Sequence, residues 1–390
     1  MPETKDIGLR GVPVADTKIS AVDGEKGRLI YRGYDIDELA RYSSFEETVY
    51  LLLYEALPTR KELEIFKETL ASERQIPAGI IRHLKKRKKT ANTMDVLQSV
   101  IPMLADFDNE ARMETKGANI KKSIKLIAKM ATIVAYWDRI RKNCDIIKPD
   151  ERSGHAANFL YMLNGDMPDE ETARDFDTCL VLHAEHSFNA STFAARVVAS
   201  THAQMYACVG AALGALSGEL HGGANTQVMK MLLEIDRIER VEKWINSKLD
   251  ARGKIMGMGH TVYKTLDPRA KILSGISEKL AERKGNNKWL ELSNKIQGVT
   301  RSEFKKRKGK DIYPNVDFYS PSIYYVLGID PDLFTPVFAV SRISGWCAHI
   351  IEEKFAEAQP KAVIYRPEAE YVGRYCGLEG CMYMPLEKRE

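Results

Sequence analysis

Apolar residues recur at intervals of three and four along most of this chain, the spacing that places them on one face of a helix. The pattern is clearest over residues 36–54, 94–104 and 120–139, and each of these segments predicts helical structure. Strand-like alternation of apolar and polar residues is almost absent. The hydrophobic pattern therefore predicts a mainly α fold.

Residues 17–35 are the exception to this helical pattern. Short strand-like stretches lie around the pair Asp23-Gly24, and Asp-Gly favours the tight turn of a hairpin. We expect a short β-hairpin region near the amino terminus.

Residues 194–216 are rich in alanine, glycine, serine and valine. Small side chains let helix backbones approach closely, so this segment predicts one buried helix, ended by Gly218 in a left-handed cap. A new helix is expected over residues 224–235, with Met229 and Met231 in the core.

The composition is that of a folded protein. A chain of 390 residues with 44% hydrophobic and 29% charged residues can bury one large core or two modest ones. No linker rich in serine or proline divides it, so a second domain would be an insertion between helices of the first.

No apolar stretch has the roughly 18 uncharged residues of a membrane span, and residues 1–10 lack the apolar core of a secretory signal. We therefore expect a cytoplasmic protein without membrane contact. The six cysteines are scattered, which favours ordinary thiols over a disulfide framework. The one close pair, Cys376 and Cys381, has no second pair beside it, and no metal site is predicted.

The formal net charge is only +4, but basic residues concentrate at 83–89 and 305–310. A basic run is most often a solvated helix face. A helical nucleic-acid-binding protein is the competing interpretation from a different functional class. The near-neutral charge, the absence of a recognised binding motif and the 8% aromatic content argue against nucleic acid as a partner.

Two of the eight histidines, His221 and His260, lie in glycine-flanked segments, LHGG and GMGHT. Glycine there permits a ligand to approach the backbone closely, which favours a functional role over that of an ordinary structural histidine. His221 also precedes a predicted helix, whose positive end disfavours an imidazolium and favours a neutral hydrogen-bond donor. His183 and His186 have H-x-x-H spacing, but the further ligands that zinc needs are not nearby.

Asp267-Pro268-Arg269 has the form of a helix start, with Asp267 as N-cap. A guanidinium beside free backbone amides can pair both oxygens of a carboxylate, although a capped surface helix explains the same residues. Asp317 lies in YPNVDFYS, which we interpret as an extended segment with apolar and aromatic neighbours. Desolvation there would raise the pKa of Asp317 above its reference of about 3.9 and make it a base near neutral pH; a surface aspartate is the alternative.

Together these segments resemble the citrate synthase family. The stretches GLRGVPVADTKISAVDGEKGRLIYRGYDI, LHAEHSFNAST, LSGELHGGAN, MGMGHTVYKTLDPRA, YPNVDFYS and SRISG occur in family order over nearly the whole chain. The resemblance implies a multihelical fold with two domains that close over the substrates. The large domain would comprise residues 1–223 and 321–390, and the small domain residues 224–320.

The resemblance also implies an acyltransferase of the tricarboxylic acid cycle that condenses acetyl-CoA with oxaloacetate and hydrolyses citryl-CoA to citrate and CoA. No cofactor is implied, because the CoA thioester is a substrate. Asp317 would remove a methyl proton from acetyl-CoA while His221 hydrogen-bonds the thioester oxygen. His260 would polarise the carbonyl of oxaloacetate.

For the two carboxylates of oxaloacetate, the matching positions are His186, Arg269, Arg342 and Arg366. In the family the last of these is donated by the neighbouring subunit, so a homodimer is implied. The places where the family sets positive charge against CoA phosphates are Lys264, Lys308 and Lys310.

Met258, Glu219 and Pro321 depart from residues that are frequent in the family, and none of the three replaces a reacting group. They leave the acyl-chain preference open. One methylene is worth only about 1 to 3 kcal/mol of discrimination, so 2-methylcitrate synthase, which uses propionyl-CoA, is the alternative function.

Overall fold

A computed structural model describes residues 7–9, 11–373 and 381–389. Near the amino terminus three short antiparallel strands, β1 (Ser20–Asp23), β2 (Arg28–Tyr31) and β3 (Tyr34–Asp35), form a sheet in the order β1-β2-β3. Ser20 pairs with Tyr31 and Asp23 with Arg28, so the turn begins at the predicted Asp23-Gly24 pair. The expected hairpin region is confirmed.

The rest of the described chain is predominantly helical. In order along the described residues, the α-helices are α1 (Ile36–Tyr42), α2 (Phe45–Tyr54), α3 (Arg60–Ser72), α4 (Ala78–Lys86), α5 (Thr93–Met103), α6 (Lys116–Arg141), α7 (His155–Asn164), α8 (Glu170–His183), α9 (Ala190–Ser200), α10 (Met205–Leu216), α11 (Ala224–Ile235), α12 (Val241–Asp250), α13 (Pro268–Lys284), α14 (Lys288–Lys308), α15 (Val316–Val326) and α16 (Phe334–Lys354). The mainly α class is confirmed.

Polar residues set where many of these helices begin. At each such start a side-chain oxygen accepts a hydrogen bond from a backbone N–H of the first turn, which has no partner within the helix. The capping residues are Asp35, Ser44, Thr59, Asn92, Thr115, Asp169, Asn189, Asp267 and Asn315.

Helix α16 lies at the centre of the core, and every residue from Phe334 to Lys354 except Phe338 is buried. It packs against α6, α9, α10, α2 and α8. Two tryptophans, Trp137 of α6 and Trp346 of α16, are fully buried among these helices.

The prediction of one helix over residues 194–216 was wrong. Helix α9 ends at Ser200, the chain turns through His202 at φ 61°, and α10 begins at Met205 and packs back against α9. The small residues signalled close helix packing, which the antiparallel pair α9–α10 satisfies as well as a single helix would. Gly218 is also not the left-handed cap, because α10 ends at Leu216 and its C-cap residue is Ser217, with φ −65°.

Helices α11 to α15 pack mainly on one another, with α15 against α11 and α13, and α14 against α12. Met229 and Met231 of α11 are buried, as predicted. Helix α13 also contacts α1 and α8, and α11 contacts α16, which joins this group to the core. The loops between the two groups form the cleft described below.

Cys144, Cys179, Cys208 and Cys347 are free thiols. Cys381 is disulfide-bonded, which corrects the expectation of ordinary thiols at that position, and Cys376 lies outside the described residues. None of the helices in the described part of the chain combines the length and the apolar content that crossing a bilayer requires.

Candidate active site

One cleft, with a volume of about 760 Å³, collects most of the residues singled out from the sequence. Those that line it are His186, His221, His260, Arg269, Asp317 and Arg342. They come from segments far apart in the chain, on both the core and the α11–α15 group. The fold therefore brings together two basic side chains, three imidazoles and one carboxyl group.

The loop that carries His221 runs between α10 and α11 and is held tightly at Gly222. A Cβ atom at Gly222 would lie 2.2 Å from the carbonyl oxygen of Leu216 and 2.8 Å from Cγ2 of Thr335. The hydroxyl of Thr335 also donates to the carbonyl of Gly222 over 2.8 Å. Only glycine fits, and this close packing fixes His221 just before the start of α11 at Ala224.

Hydrogen bonds from Ser191 define the proton position on His221. The backbone N–H of Ser191 donates to Nε2 of His221 over 3.2 Å, and the Ser191 hydroxyl lies 2.8 Å from the same atom. Because a backbone N–H can only donate, Nε2 is an acceptor and Nδ1 carries the proton of the neutral ring. Burial, with a smaller contribution from Arg342, lowers the pKa of His221 to about 4. His221 is thus a neutral donor through Nδ1–H.

His260 has the opposite tautomer. Its Nδ1 accepts from the backbone N–H groups of Val262 and Tyr263, over 3.0 and 3.1 Å. Nε2 therefore carries the proton. Burial and the nearby charge of Arg269 lower the pKa of His260 to about 4, so this ring is also a neutral donor near pH 7.

Asp317 lies in the first turn of α15, which corrects the expectation of an extended segment. The side chain of Asn315 caps this helix and accepts from the backbone N–H of Asp317 over 2.9 Å. Burial raises the pKa of Asp317 to about 6, although Arg269 acts in the opposite direction. The predicted direction of the pKa shift agrees with the structure.

Asn315 also ties the loop of His260 to the helix of Asp317. Its backbone N–H donates to the carbonyl of Gly257 over 2.9 Å, and its side-chain amide donates to the carbonyl of Gly259 over 2.8 Å. Gly259 in turn donates to the carbonyl of Tyr313 over 2.7 Å. These bonds fix the segments that carry Asp317 and His260 relative to each other.

The predicted helix start at Asp267-Pro268-Arg269 is confirmed. Asp267 accepts from Nε and Nη2 of Arg269, over 3.0 and 2.8 Å, and from the backbone N–H of Val316 over 3.1 Å. One edge of the guanidinium that we assigned to a substrate carboxylate is therefore engaged by Asp267. Nη1 of Arg269 is on the other side of the guanidinium, which can contact a ligand in the cleft.

Arg342 and His186 complete the polar wall of the cleft. Nε of Arg342 donates to the carbonyl of His183 over 2.6 Å, and its guanidinium lies 4.5 Å from the ring centre of Phe338. Burial lowers the pKa of Arg342 to about 10, which leaves it charged at neutral pH. Burial also holds the pKa of His186 well below its usual value, and its Nε2 lies 3.2 Å from the hydroxyl of Tyr263.

The H-x-x-H pair does not converge on a metal. His183 is buried at the end of α8 with Nδ1 2.7 Å from the carbonyl of Cys179, whereas His186 faces the cleft. Among the residues that the structure describes, no group of three or more histidine, cysteine or acidic side chains could hold an ion.

Four of the predicted site residues do not line the cleft of their own chain. Lys264, Lys308, Lys310 and Arg366 are all exposed. Arg366 follows Tyr365, whose backbone N–H donates to Ser200 and whose hydroxyl donates to Glu353. Lys308 ends α14 and Lys310 follows Gly309, which has φ 67°.

Sequence reasoning missed the residues that hold the candidate catalytic side chains. Ser191, Tyr263 and Asn315 contact His221, His186 and Asp317, respectively. Asn315 had a signal, because an asparagine after proline and two residues before an acid is typical of an N-cap. Ser191 had none, since its contact with His221 joins segments 30 residues apart.

Comparisons with known proteins point to one family. The profile of the family described as "Citrate synthase, C-terminal domain" matches residues 8–368. The chain is 43% identical to "Citrate synthase" of Haloferax volcanii and 45% identical to "Citrate synthase 2" of Bacillus subtilis, with 98% of each chain covered in both comparisons. It is also 39% identical to "2-methylcitrate synthase 1" of Corynebacterium glutamicum, again over 98% of both chains.

Solved structures with a similar fold come from the same family. The citrate synthase of Pyrobaculum aerophilum superposes with a TM-score of 0.89 at 39% identity, covering 98% of this chain and 95% of the other. The citrate synthase of Thermoplasma acidophilum, solved in a ternary complex with carboxymethyl coenzyme A and oxaloacetate, superposes with a TM-score of 0.89 at 33% identity and 98% coverage of both chains.

Proposed function

Because this chain belongs to the citrate synthase family, we propose that the cleft joins the methyl carbon of acetyl-CoA to the keto carbon of oxaloacetate. The chain is an acyltransferase of the citrate synthase type. Citryl-CoA formed in the cleft is then hydrolysed by water, which gives citrate and free CoA.

Asp317 acts as the base in the first step. Its carboxylate takes a proton from the methyl group of acetyl-CoA, and the electron pair moves toward the thioester oxygen. Nδ1–H of His221 donates a hydrogen bond to that oxygen as the enol or enolate forms. A base with a pKa of about 6 is weak for a carbon acid, so stabilisation of the developing charge contributes much of the rate.

His260 acts on the second substrate. Its Nε2–H donates to the keto oxygen of oxaloacetate, which makes the carbonyl carbon more electrophilic for attack by the enol. Arg269, Arg342 and His186 receive the carboxylates of oxaloacetate, since a buried guanidinium suits planar recognition of that group.

A single observation carries this proposal: two neutral imidazoles with opposite tautomers and one carboxyl group of raised pKa line the same cleft. The acceptor nitrogen of each ring is occupied by backbone N–H groups, and among residues 11–373 no acceptor takes the N–H of either ring, which leaves it for a substrate oxygen. The condensation needs two such donors, one for each carbonyl, and one base.

The remaining assignments belong to the same proposal. Lys264, Lys308 and Lys310 lie outside the cleft and offer positive charge to the phosphates of CoA. Arg366, exposed on its own chain, reaches the cleft of the neighbouring subunit of a homodimer. Residues 224–320 form the small domain, which closes on the large one when oxaloacetate binds, and the enzyme works in the cytoplasm without an added cofactor.

The test is a comparison of kcat/KM for acetyl-CoA and propionyl-CoA with oxaloacetate, measured by release of the CoA thiol. We expect acetyl-CoA to be preferred. A preference for propionyl-CoA would instead support the function of the Corynebacterium glutamicum relative, 2-methylcitrate synthase. No thiol release with either substrate, from protein shown to be folded, would contradict both.

A further inference from the structure

A buried indole lies behind His221, on the side away from the cleft. Nε1 of Trp346 donates to the hydroxyl oxygen of Ser191 over 3.1 Å, and the side chain of Trp346 is fully buried. The same serine contacts Nε2 of His221. We infer that Trp346 is a positioning residue, which acts through Ser191 to keep the N–H of His221 directed at the substrate thioester.

The argument rests on which atoms can donate. An indole N–H has no acceptor capacity, so the Ser191 oxygen accepts from Trp346 and the hydroxyl hydrogen points elsewhere. Within hydrogen-bond distance of that oxygen lie Oδ1 of Asn189 and Nε2 of His221, both at 2.8 Å. The hydroxyl donates to Oδ1 of Asn189, so this bond and the bond from the indole together hold the Ser191 side chain beside His221. Nε2 of His221 accepts from the backbone N–H of Ser191, so holding Ser191 in place also holds His221 in its Nδ1–H tautomer.

Trp346 lies on the same helix as Arg342, the proposed receptor for a carboxylate of oxaloacetate. It follows Arg342 by four residues on α16, so the two side chains project from the same face of the helix. Both are buried within the core, where α16 packs against several other helices. The rigid helix α16 thus sets the distance between His221, which donates a hydrogen bond to the thioester oxygen, and Arg342, which binds oxaloacetate.

This inference rests on the proposed function, and its test uses a matched pair of variants. Trp346→Phe removes the indole N–H. Trp137→Phe removes the same atoms from another fully buried tryptophan, whose Nε1 has no hydrogen-bond partner within the described residues. We expect Trp346→Phe to lower kcat about 5- to 10-fold, the scale of one hydrogen bond, with KM for oxaloacetate unchanged. Trp137→Phe should keep the wild-type kcat, and equal losses in both variants would overturn the inference.

A double-mutant cycle tests whether Trp346 acts through Ser191. In a Ser191→Ala background, Trp346→Phe should cause no further loss of kcat, because the intermediate hydroxyl is already absent. Losses that multiply would show that Trp346 acts by another route. If Trp346→Phe does not fold, Trp346→Tyr and Trp137→Tyr give the same comparison with more of the volume retained.

A readout that does not depend on turnover separates this inference from the proposed function. The ¹⁵N chemical shifts of the His221 ring, assigned by their loss in His221→Ala, report which nitrogen carries the proton. Wild type and Trp137→Phe should show the Nδ1–H tautomer, and Trp346→Phe should show a mixture. An unchanged tautomer in Trp346→Phe would overturn the role of Trp346, whereas failure to turn over either acyl-CoA would overturn only the proposed function.

Discussion

Protonation decides what each side chain in the cleft can do. Burial moves the pKa of Asp317 up to about 6 and those of His221 and His260 down to about 4. All three shifts have the same cause, since a low-dielectric environment disfavours the charged form of every group. At neutral pH the carboxyl group is therefore a base of increased strength, and both imidazoles are neutral donors.

Replacing the base tests its role directly. Asp317→Asn should lower kcat by about 10²- to 10⁴-fold, the usual contribution of a general base. Affinity for oxaloacetate, measured by calorimetry, should stay near the wild-type value, because the base contacts acetyl-CoA. As a control, Asp236→Asn alters a partly exposed aspartate paired with Lys288, far from the cleft lining, and should keep full activity. An Asp317→Asn enzyme with half the wild-type kcat would remove Asp317 from the mechanism.

The pH dependence follows from the same pKa values. The base works only when ionised, so kcat/KM for acetyl-CoA should fall as pH drops through about 6, by about tenfold per unit below it. His221 and His260 stay neutral over this range, because their pKa values of about 4 lie lower. Rates between pH 5 and 8, with circular dichroism to show that the fold persists, give the measurement. A profile that stays flat down to pH 5 would contradict the raised pKa.

At the scale of elements, short connections determine where the reacting groups lie. His221 precedes α11, Asp317 is in the first turn of α15, and Arg269 is in the first turn of α13. Helix starts combine free backbone N–H groups with a fixed side-chain direction, so a cleft formed from several of them has an electropositive wall. Such a wall suits substrates that carry carboxylates.

The glycine before α11 gives a prediction at this scale. Gly222→Ala should displace the loop of His221, because the new Cβ would lie 2.2 Å from the carbonyl oxygen of Leu216. We expect kcat to fall by about 10²-fold, as for a misplaced catalytic group, and stability to fall by about 1 to 3 kcal/mol.

Gly298→Ala is the matched control for this substitution. It lies within α14 with no atom within 4 Å of its Cβ position, so alanine there should stabilise the protein by about 0.5 to 1 kcal/mol and leave kcat unchanged. Urea denaturation and initial rates of both variants give the comparison. Wild-type activity in Gly222→Ala would contradict the proposed constraint on the loop.

At the scale of the whole molecule, the cleft of a single chain lacks one predicted arginine. Arg366 is exposed and does not line the cleft, and the preceding Tyr365 is anchored on Ser200 and Glu353. Arg366 belongs to a family motif but lies outside the cleft of its own chain. This position supports the proposal that two chains share each site. A symmetric dimer would then contain two such shared sites.

Mixed dimers of two inactive variants test this sharing. His221→Ala and Arg366→Ala, expressed together, should restore about one quarter of the wild-type sites under random pairing. Half the dimers are then mixed, and each has one cleft with an intact His221 from one chain and an intact Arg366 from the other. If Arg366 serves its own chain, no pairing gives an intact site. Mixed dimers that form but show no activity above the separate variants would reject the shared site.

The sequence by itself determined the class of fold and, through the family motifs, the candidate reacting groups. Helical spacing of apolar residues, the turn at Asp23-Gly24 and the cap at Asp267 are local signals, and each depends on residues only a few positions apart. The resemblance to the family supplied His221, His260 and Asp317 because those residues stand in ordered motifs. Local patterns can be recognised without knowing which segments meet.

Only the tertiary structure decided how those groups are held and protonated. The break between α9 and α10, the position of Asp317 within a helix and the tautomers of both imidazoles were not predictable, because each depends on contacts between distant segments. Ser191 and Trp346 are 155 positions apart and meet only when α9 packs against α16. Burial and hydrogen bonding at such contacts set the pKa values, and neither property exists in an unfolded chain.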